Sequence, residues 1–396
     1  MSLLDRDFSA GDFRLLLDEA VRTGSVHVDH ERKRVLVMGY DLVRTLLLDR
    51  RLVNTRDQVI LDELPPERRE LHGSVDRFLS LWPVFSDGPY HDRVRGHLGS
   101  SMSPHRLKPL MPRLGAYCAQ ALLDLAERGT DVDWIGEFVR PYIAHTLSLL
   151  FGVDRDRLDR VIDAGTAVIG YVTGTGHIDE AAKRAKRALE VLDEETRALT
   201  AHPATDLCRA LTAIAEDPDL GPDAAAAVVA QIVTGTLDPT LTVLAEAILL
   251  RTEPGDPVQG TDAVRRTTDE VLRHACPFRF SAVREVTEDV DLGDHRLARG
   301  QKVMLGFAAA NLDSRTFPDA LAFRPSADSS RHVAFGLGAH RCPGAALTTG
   351  LLDEFFTAAA VHRLRIVPVE ESFVRSPAAT FNRVVALRAR VLREVD

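Results

Sequence analysis

The stretch from Pro222 to about Leu250, PDAAAAVVAQIVTGTLDPTLTVLAEAILL, constrains the fold more than any other part of the chain. It is the most apolar long segment of the 396 residues and has a proline at its start, where a helix tolerates one. A helix with so little polar surface must be central and largely buried, and the rest of the chain has to cover it. With 45% hydrophobic and 27% charged residues the chain has the means to build that cover as an ordinary globular protein. The four cysteines, at 118, 208, 276 and 342, are too scattered for a zinc cluster and too few for a disulfide scaffold, so any special cysteine acts alone. The 14 histidines form no HExxH or similar pair, and a net charge of −9 argues against a nucleic-acid partner. The first residues, MSLLDRDFSAGDFRLLLDEA, lack the basic start and apolar stretch of a signal peptide, and no run of about eighteen apolar residues stands out. A cytoplasmic protein without a membrane partner is expected.

Hydrophobic spacing predicts a helix over GDFRLLLDEAVRTG closing at Gly24, a hairpin over VHVDHERKRVLVM, and a return to helix at GYDLVRTLLL. Residues 54 to 90 mix Pro, Gly and charge around Leu79, Trp82 and Phe85 and read as a long irregular connection. Helical texture runs from Pro104 to about residue 215. After the apolar segment come a helix over 262 to 275, short strands near 280 to 306, a Pro-rich meander over 316 to 330, and a glycine loop before a long helix from Pro343. No repeats or flexible linkers interrupt this order, so one domain over residues 1–396 is expected, mainly α with a minor β part.

The richest motif is Phe335-Gly336-Leu337-Gly338-Ala339-His340-Arg341-Cys342-Pro343-Gly344. Its glycines let the backbone turn tightly and approach a flat cofactor closely. The coming helix N-terminus and Arg341 both favour an anionic sulfur at Cys342. The motif resembles the haem-binding loop of the cytochrome P-450 superfamily, Phe-Gly-x-Gly-x-His-x-Cys-x-Gly in bacterial members, with all six fixed positions filled. The resemblance makes Cys342 the iron ligand, packs Phe335 by the sulfur, and sends His340 to a haem propionate; Gly336 and Gly344 are the loop positions that lie close to the cofactor. Other signatures occur in the family's order. Glu270-Val271-Leu272-Arg273 resembles the buried Glu-Arg pair that braces the haem-side core. In DGPYHDRVRGHLGSSMSP, His91 and Arg95 stand where relatives hold the propionates, and Arg284 matches a propionate-binding Arg on the strand after the ExxR helix. Many relatives carry an Arg four residues after the meander Phe; after Phe323 that place is Ala327, with Arg331 a nearby substitute.

The central segment departs from the family at one point. Gly235-Thr236-Leu237-Asp238-Pro239 aligns with small residue, Gly, any residue, acid, Thr, so the acid survives and the alcohol does not. Asp238 keeps the proton-handling role. Pro239 lacks the hydroxyl and, inside a helix, frees the carbonyl of Gly235, which can hold a water. Thr236, three residues before Pro239, is the candidate replacement alcohol. Three outcomes stay open: a substrate hydroxyl or water completes proton delivery; peroxide supplies the oxidant; or the reaction is a coupling or desaturation. A haem-binding module without turnover is the rival from another class.

The resemblance implies a triangular helical P-450-like fold with haem b between the central helix and the Cys342 loop. It also implies an oxidoreductase acting on a small organic, secondary-metabolite substrate with dioxygen. Ferredoxin and ferredoxin reductase are the expected electron donors, docking near Arg341 and Arg106 on a monomer. By family placement, Trp82, Phe85, residues 165 to 178, Val233, Thr234, Phe280 to Ala282 and Phe381 are the expected substrate contacts.

Overall fold

A computed structural model describes residues 3–9, 12–56, 64–173, 178–250 and 260–393 of the chain. It is mainly helical with small sheets, as the hydrophobic spacing predicts, and it divides into two compact units.

The first unit comprises Met1–Val53, Lys108–Ile143 and Asp238–Asp396. Its opening helix, Phe13–Thr23, starts where the Asp12 side chain accepts the Arg14 N–H and stops at Gly24. The strands Val26–Asp29 and Arg34–Val37 then form the expected hairpin, with Val26 opposite Val37. The second of these pairs in parallel with Lys302–Leu305, which pairs antiparallel with Arg284–Val286. Leu52–Asn54 completes this five-stranded sheet at the far edge. One face buries Val35, Val37, Val303 and Leu305 against Val43, Leu46 and Leu47 of the helix Tyr40–Leu48. The helices Met111–Arg128 and Ala345–Val361 pack together, and a second sheet joins Asp131–Asp133, Arg388–Arg393 and Leu364–Pro368. The strands after residue 361 were not expected from the sequence, although Arg388-Ala389-Arg390-Val391 alternates charged and apolar residues in step with their exposure.

The second unit, Asn54–Leu107 and Ala144–Leu237, is built from helices. Arg155–Thr173 packs along Ile178–Ala201, which also meets Pro66–Ser80 and Asp206–Glu216. The helix Pro66–Ser80 corrects the expectation of an irregular connection over residues 54 to 90. Its buried face includes His72, Val75, Asp76 and Leu79, spaced as a helix requires, but two of the four are polar, which hid the period. Residues 57–63 lie outside the described residues.

The boundary between the units falls within the helix Gly221–Leu249, which runs unbroken through Pro239. By length and apolarity this helix could cross a membrane, contrary to the expectation that no such run stands out, yet 61% of its most apolar window is buried inside the protein. Residues 224–230 and 240–248 are buried throughout; between them only Val233 and Leu237 are.

Candidate active site

In the first unit the chain reaches Cys342 through a turn whose geometry only glycine adopts easily. Gly336 and Gly338 have φ of +62° and +71°, and a Cβ at Gly338 would lie 3.1 Å from the Leu47 carbonyl. The Gly336 N–H donates to the Val333 carbonyl at 2.9 Å, and the Cys342 N–H donates back to the Phe335 carbonyl at 2.8 Å. These bonds close the loop and present the thiol just before the helix Ala345–Val361. Phe335 and His340 are half-buried beside it. Cys342 is the one cysteine of the four that is not buried. Burial pushes the Cys276 thiol up to about 12 and raises that of Cys118 as well, which keeps both protonated and inert.

Glu270 and Arg273 form a two-pronged pair, Nε to Oε2 and Nη2 to Oε1 both 2.8 Å, with side chains almost wholly buried. Arg273 also donates to the carbonyls of Asn311 at 2.9 Å and Ala320 at 2.7 Å, tying the ExxR helix to the meander. The group that completes this brace is neither Ala327 nor Arg331. Ala327 is exposed, and Arg331 donates to the Thr316 carbonyl instead. The Ser329 hydroxyl donates to Glu270 Oε2, and the Arg324 backbone N–H donates to Oε1 at 2.7 Å. These donors, with Arg273, hold the Glu270 carboxyl far below the usual carboxylate range despite its burial. Sequence reading missed Ser329 because a lone serine in a polar loop carries no signal.

Arg284 is buried at 3% exposure and its Nη1 donates to the Leu46 carbonyl at 3.4 Å. In the second unit His91 is buried in the helix Gly88–Leu98, its Nδ1 3.2 Å from Asp92 Oδ1, and Arg95 lies one turn further on.

Along Gly221–Leu249 the partly open stretch coincides with the unusual motif. Gly235 is exposed, a Cβ there would meet nothing within 4 Å, and Thr236, Asp238 and Pro239 are half-buried. The Thr240 hydroxyl, by contrast, is buried and has no hydrogen-bond partner among the described residues. Burial lifts the Asp238 carboxyl above its ordinary value, while Arg383 and Arg140 pull it back. Arg383 Nε lies 3.5 Å from Asp238 Oδ1. Nothing in the sequence pairs two residues 145 positions apart, and Arg383 was not anticipated.

Of the expected substrate contacts, Trp82 stacks on Phe85 with ring centroids 6.2 Å apart, and Phe381 packs on Phe278 at 4.9 Å. Phe280 instead sits in the apolar core with Phe8, Leu36 and Met38. Residues 174–177 lie outside the described residues.

Among the described residues no group of three or more His, Cys, Asp or Glu could hold a metal ion. The residues around Cys342 fit a different cofactor. A metal carried by a flat ring needs one protein ligand, a backbone that lets the ring come close, and cations for any carboxylates on its rim. Cys342, the glycine turn and Arg284, all in the first unit, meet these needs. The sequence model of the family "Cytochrome P-450" matches residues 262–372, which span Glu270, Arg273, Arg284 and the whole Cys342 loop. The chain belongs to the cytochrome P-450 superfamily. It is an enzyme of the family's monooxygenase type. A cytochrome P-450 of Saccharopolyspora erythraea is 29% identical over 325 residues, 79% of this chain and 77% of the relative. The biflaviolin synthase of Streptomyces coelicolor is 28% identical over 359 residues, covering 86% and 83% of the two chains. The crystal structure of CalO2 superposes with a TM-score of 0.84 at 21% identity over 98% of each chain, which shows the cytochrome P-450 fold.

Proposed function

We propose that this cytochrome P-450 holds haem b through Cys342 and oxidises a small organic substrate of secondary metabolism, using dioxygen and electrons from a ferredoxin and its reductase. When bound, haem supplies an iron that activates oxygen, with electron density from the thiolate favouring O–O cleavage. The observation that carries the reading is the glycine turn that presents Cys342, alone among four cysteines, unburied at the start of a helix. Arg284 and His340 in the first unit, and His91 and Arg95 in the second, are the groups the resemblance assigns to the propionates. Phe335, Gly336 and Gly344 are the loop residues, and Gly235 the central-helix residue, that the resemblance sets against the ring. Asp238 Oδ1 holds and passes the protons the reaction consumes; its raised affinity for a proton suits the task. The reading treats residues 1–396 as one haem domain, monomeric and cytoplasmic.

The names of the relatives favour this substrate class. They include a 6-deoxyerythronolide B hydroxylase, 23% identical over 317 residues, as well as the biflaviolin synthase. A second reading rests on Pro239, which removes the alcohol from its family position. On that reading Thr236 or a substrate hydroxyl completes the proton path, or the enzyme uses peroxide, or it couples or desaturates its substrate.

The test is spectroscopic. The reduced protein with carbon monoxide should show the red-shifted band of a thiolate-ligated haem, and Cys342→Ser should abolish it; an unchanged band in the variant overturns the ligand assignment. Parallel assays with a surrogate ferredoxin system and with peroxide alone separate the two readings, and reductant consumption without product from any accepted ligand would favour a binding module.

A further inference from the structure

Asp238 is one of three residues on a single face of the central helix that engage the same short segment of chain. Residues 238, 242 and 246 are spaced four apart and so lie above one another. The Thr242 hydroxyl donates to the Asn382 carbonyl at 3.0 Å, the Asn382 side-chain amide donates to Glu246 Oε1 at 3.3 Å, and Arg383 Nε faces Asp238 Oδ1 at 3.5 Å. The helix and residues 382–383 are thus in register over two turns.

The segment that carries Arg383 is held from every side. Asn382 is fully buried. Its N–H donates to the Pro277 carbonyl at 2.7 Å and its Nδ2 to the Ala275 carbonyl at 2.6 Å. Its Oδ1 accepts from Arg279 Nη2 at 3.2 Å and from Arg375, which in turn pairs with Glu246 at 2.5 Å. The Arg383 carbonyl accepts the Ser376 N–H at 2.9 Å. A surface ion pair ordinarily contributes little, because two long side chains must be ordered to make it. Here the backbone of Arg383 is already fixed and Asp238 is on a helix, so much of that ordering is done before the pair forms.

We propose that Arg383 is the positioning residue for Asp238: it fixes where the carboxylate points and sets the pH range over which that carboxylate carries a proton. Arg140 is the other charged group that acts on Asp238, and burial opposes both. Because the Arg383 side chain is 42% exposed, its hold on Asp238 is open to screening by salt. The proposal deepens the proton-handling role given to Asp238, but its test does not depend on turnover.

The experiment is a carboxyl-carbon NMR titration of the carbon-monoxide-bound ferrous protein labelled at aspartate, with the Asp238 signal identified by its loss in Asp238→Asn. Arg383→Gln should move the Asp238 midpoint up by about half a pH unit, the scale of a partly screened pair. Arg383→Lys, which keeps the charge, should leave the midpoint near that of the wild type. If Arg383→Gln does not fold, the wild type alone suffices: raising the salt from about 0.05 M to about 1 M should move its midpoint upward, since the screening length shrinks several-fold. A midpoint indifferent to Arg383→Gln, or in its absence to salt, overturns the proposal. A protein that binds no haem would defeat the functional reading without deciding this one, because the same titration can then be run on the diamagnetic haem-free chain.

Discussion

At the scale of single residues the chain shows which parts of a site a sequence can announce. Cys342, Gly336 and Gly338 are legible because backbone conformation and ligand chemistry leave few choices of residue at those positions. Ser329 is not, because its role depends on a contact with Glu270 made 59 positions away. The carboxylate needs donors, and it accepts them from whatever the meander offers: a hydroxyl, a main-chain N–H and Arg273. Two substitutions test this. Ser329→Ala should lower stability by about 1–2 kcal/mol, the scale for removing a hydrogen bond to a buried charged group, measured by chemical denaturation. Ala327→Arg, which restores the guanidinium common among relatives, should bring no comparable gain, since the Glu270 oxygens already have partners. A Ser329→Ala protein as stable as the wild type would remove the hydroxyl from the brace.

At the scale of elements, the helix Gly221–Leu249 was legible as a buried helix, and Asp238-Pro239 at its centre as a departure from the family pattern. What the sequence could not show is that the helix continues unbroken through Pro239. The reason is burial: long apolar runs on both sides anchor the helix, and their packing outweighs a local cost of about 3 kcal/mol. That cost is still present in the folded protein. Pro239→Ala should therefore raise stability by about 1–3 kcal/mol, read as a higher denaturation midpoint, while Pro239→Thr should also raise the product formed per electron consumed by returning a hydroxyl to its family position. A Pro239→Ala protein no more stable than the wild type would mean that the surrounding chain is built to need the proline. The helix Pro66–Ser80 illustrates the converse failure, where polar His72 and Asp76 on the buried face concealed a regular element.

At the scale of the whole molecule, the order of motifs along the chain was enough to name the fold, whereas the electrostatic balance of the folded state emerges only from burial. His332 is the clearest case. Burial pushes its imidazole down to about 4, with Arg265 and Arg273 acting in the same direction, and its Nδ1 accepts the Ala334 N–H at 3.2 Å. An unfolded chain would protonate this group below about pH 6.5, while the folded protein resists doing so until about pH 4. Over that window the unfolded state binds more protons, so stability falls as the pH falls, by up to about 1.4 kcal/mol per pH unit for one full proton. His274, also lowered by burial, adds to the loss. Glu270 adds more below about pH 4.3, where its unfolded form begins to take up a proton that the folded form refuses. Asp269 and Asp353, both raised by burial, work the other way and soften the decline. The contribution of His332 can be isolated with His332→Gln, which keeps a side-chain acceptor for the Ala334 N–H but does not titrate. Denaturation midpoints measured from pH 7 down to pH 4.5 should show the wild type losing progressively more stability than the variant below about pH 6.5. Parallel curves would mean that His332 takes up its proton as readily in the folded protein as in the unfolded chain, and that the acid sensitivity of the fold arises elsewhere.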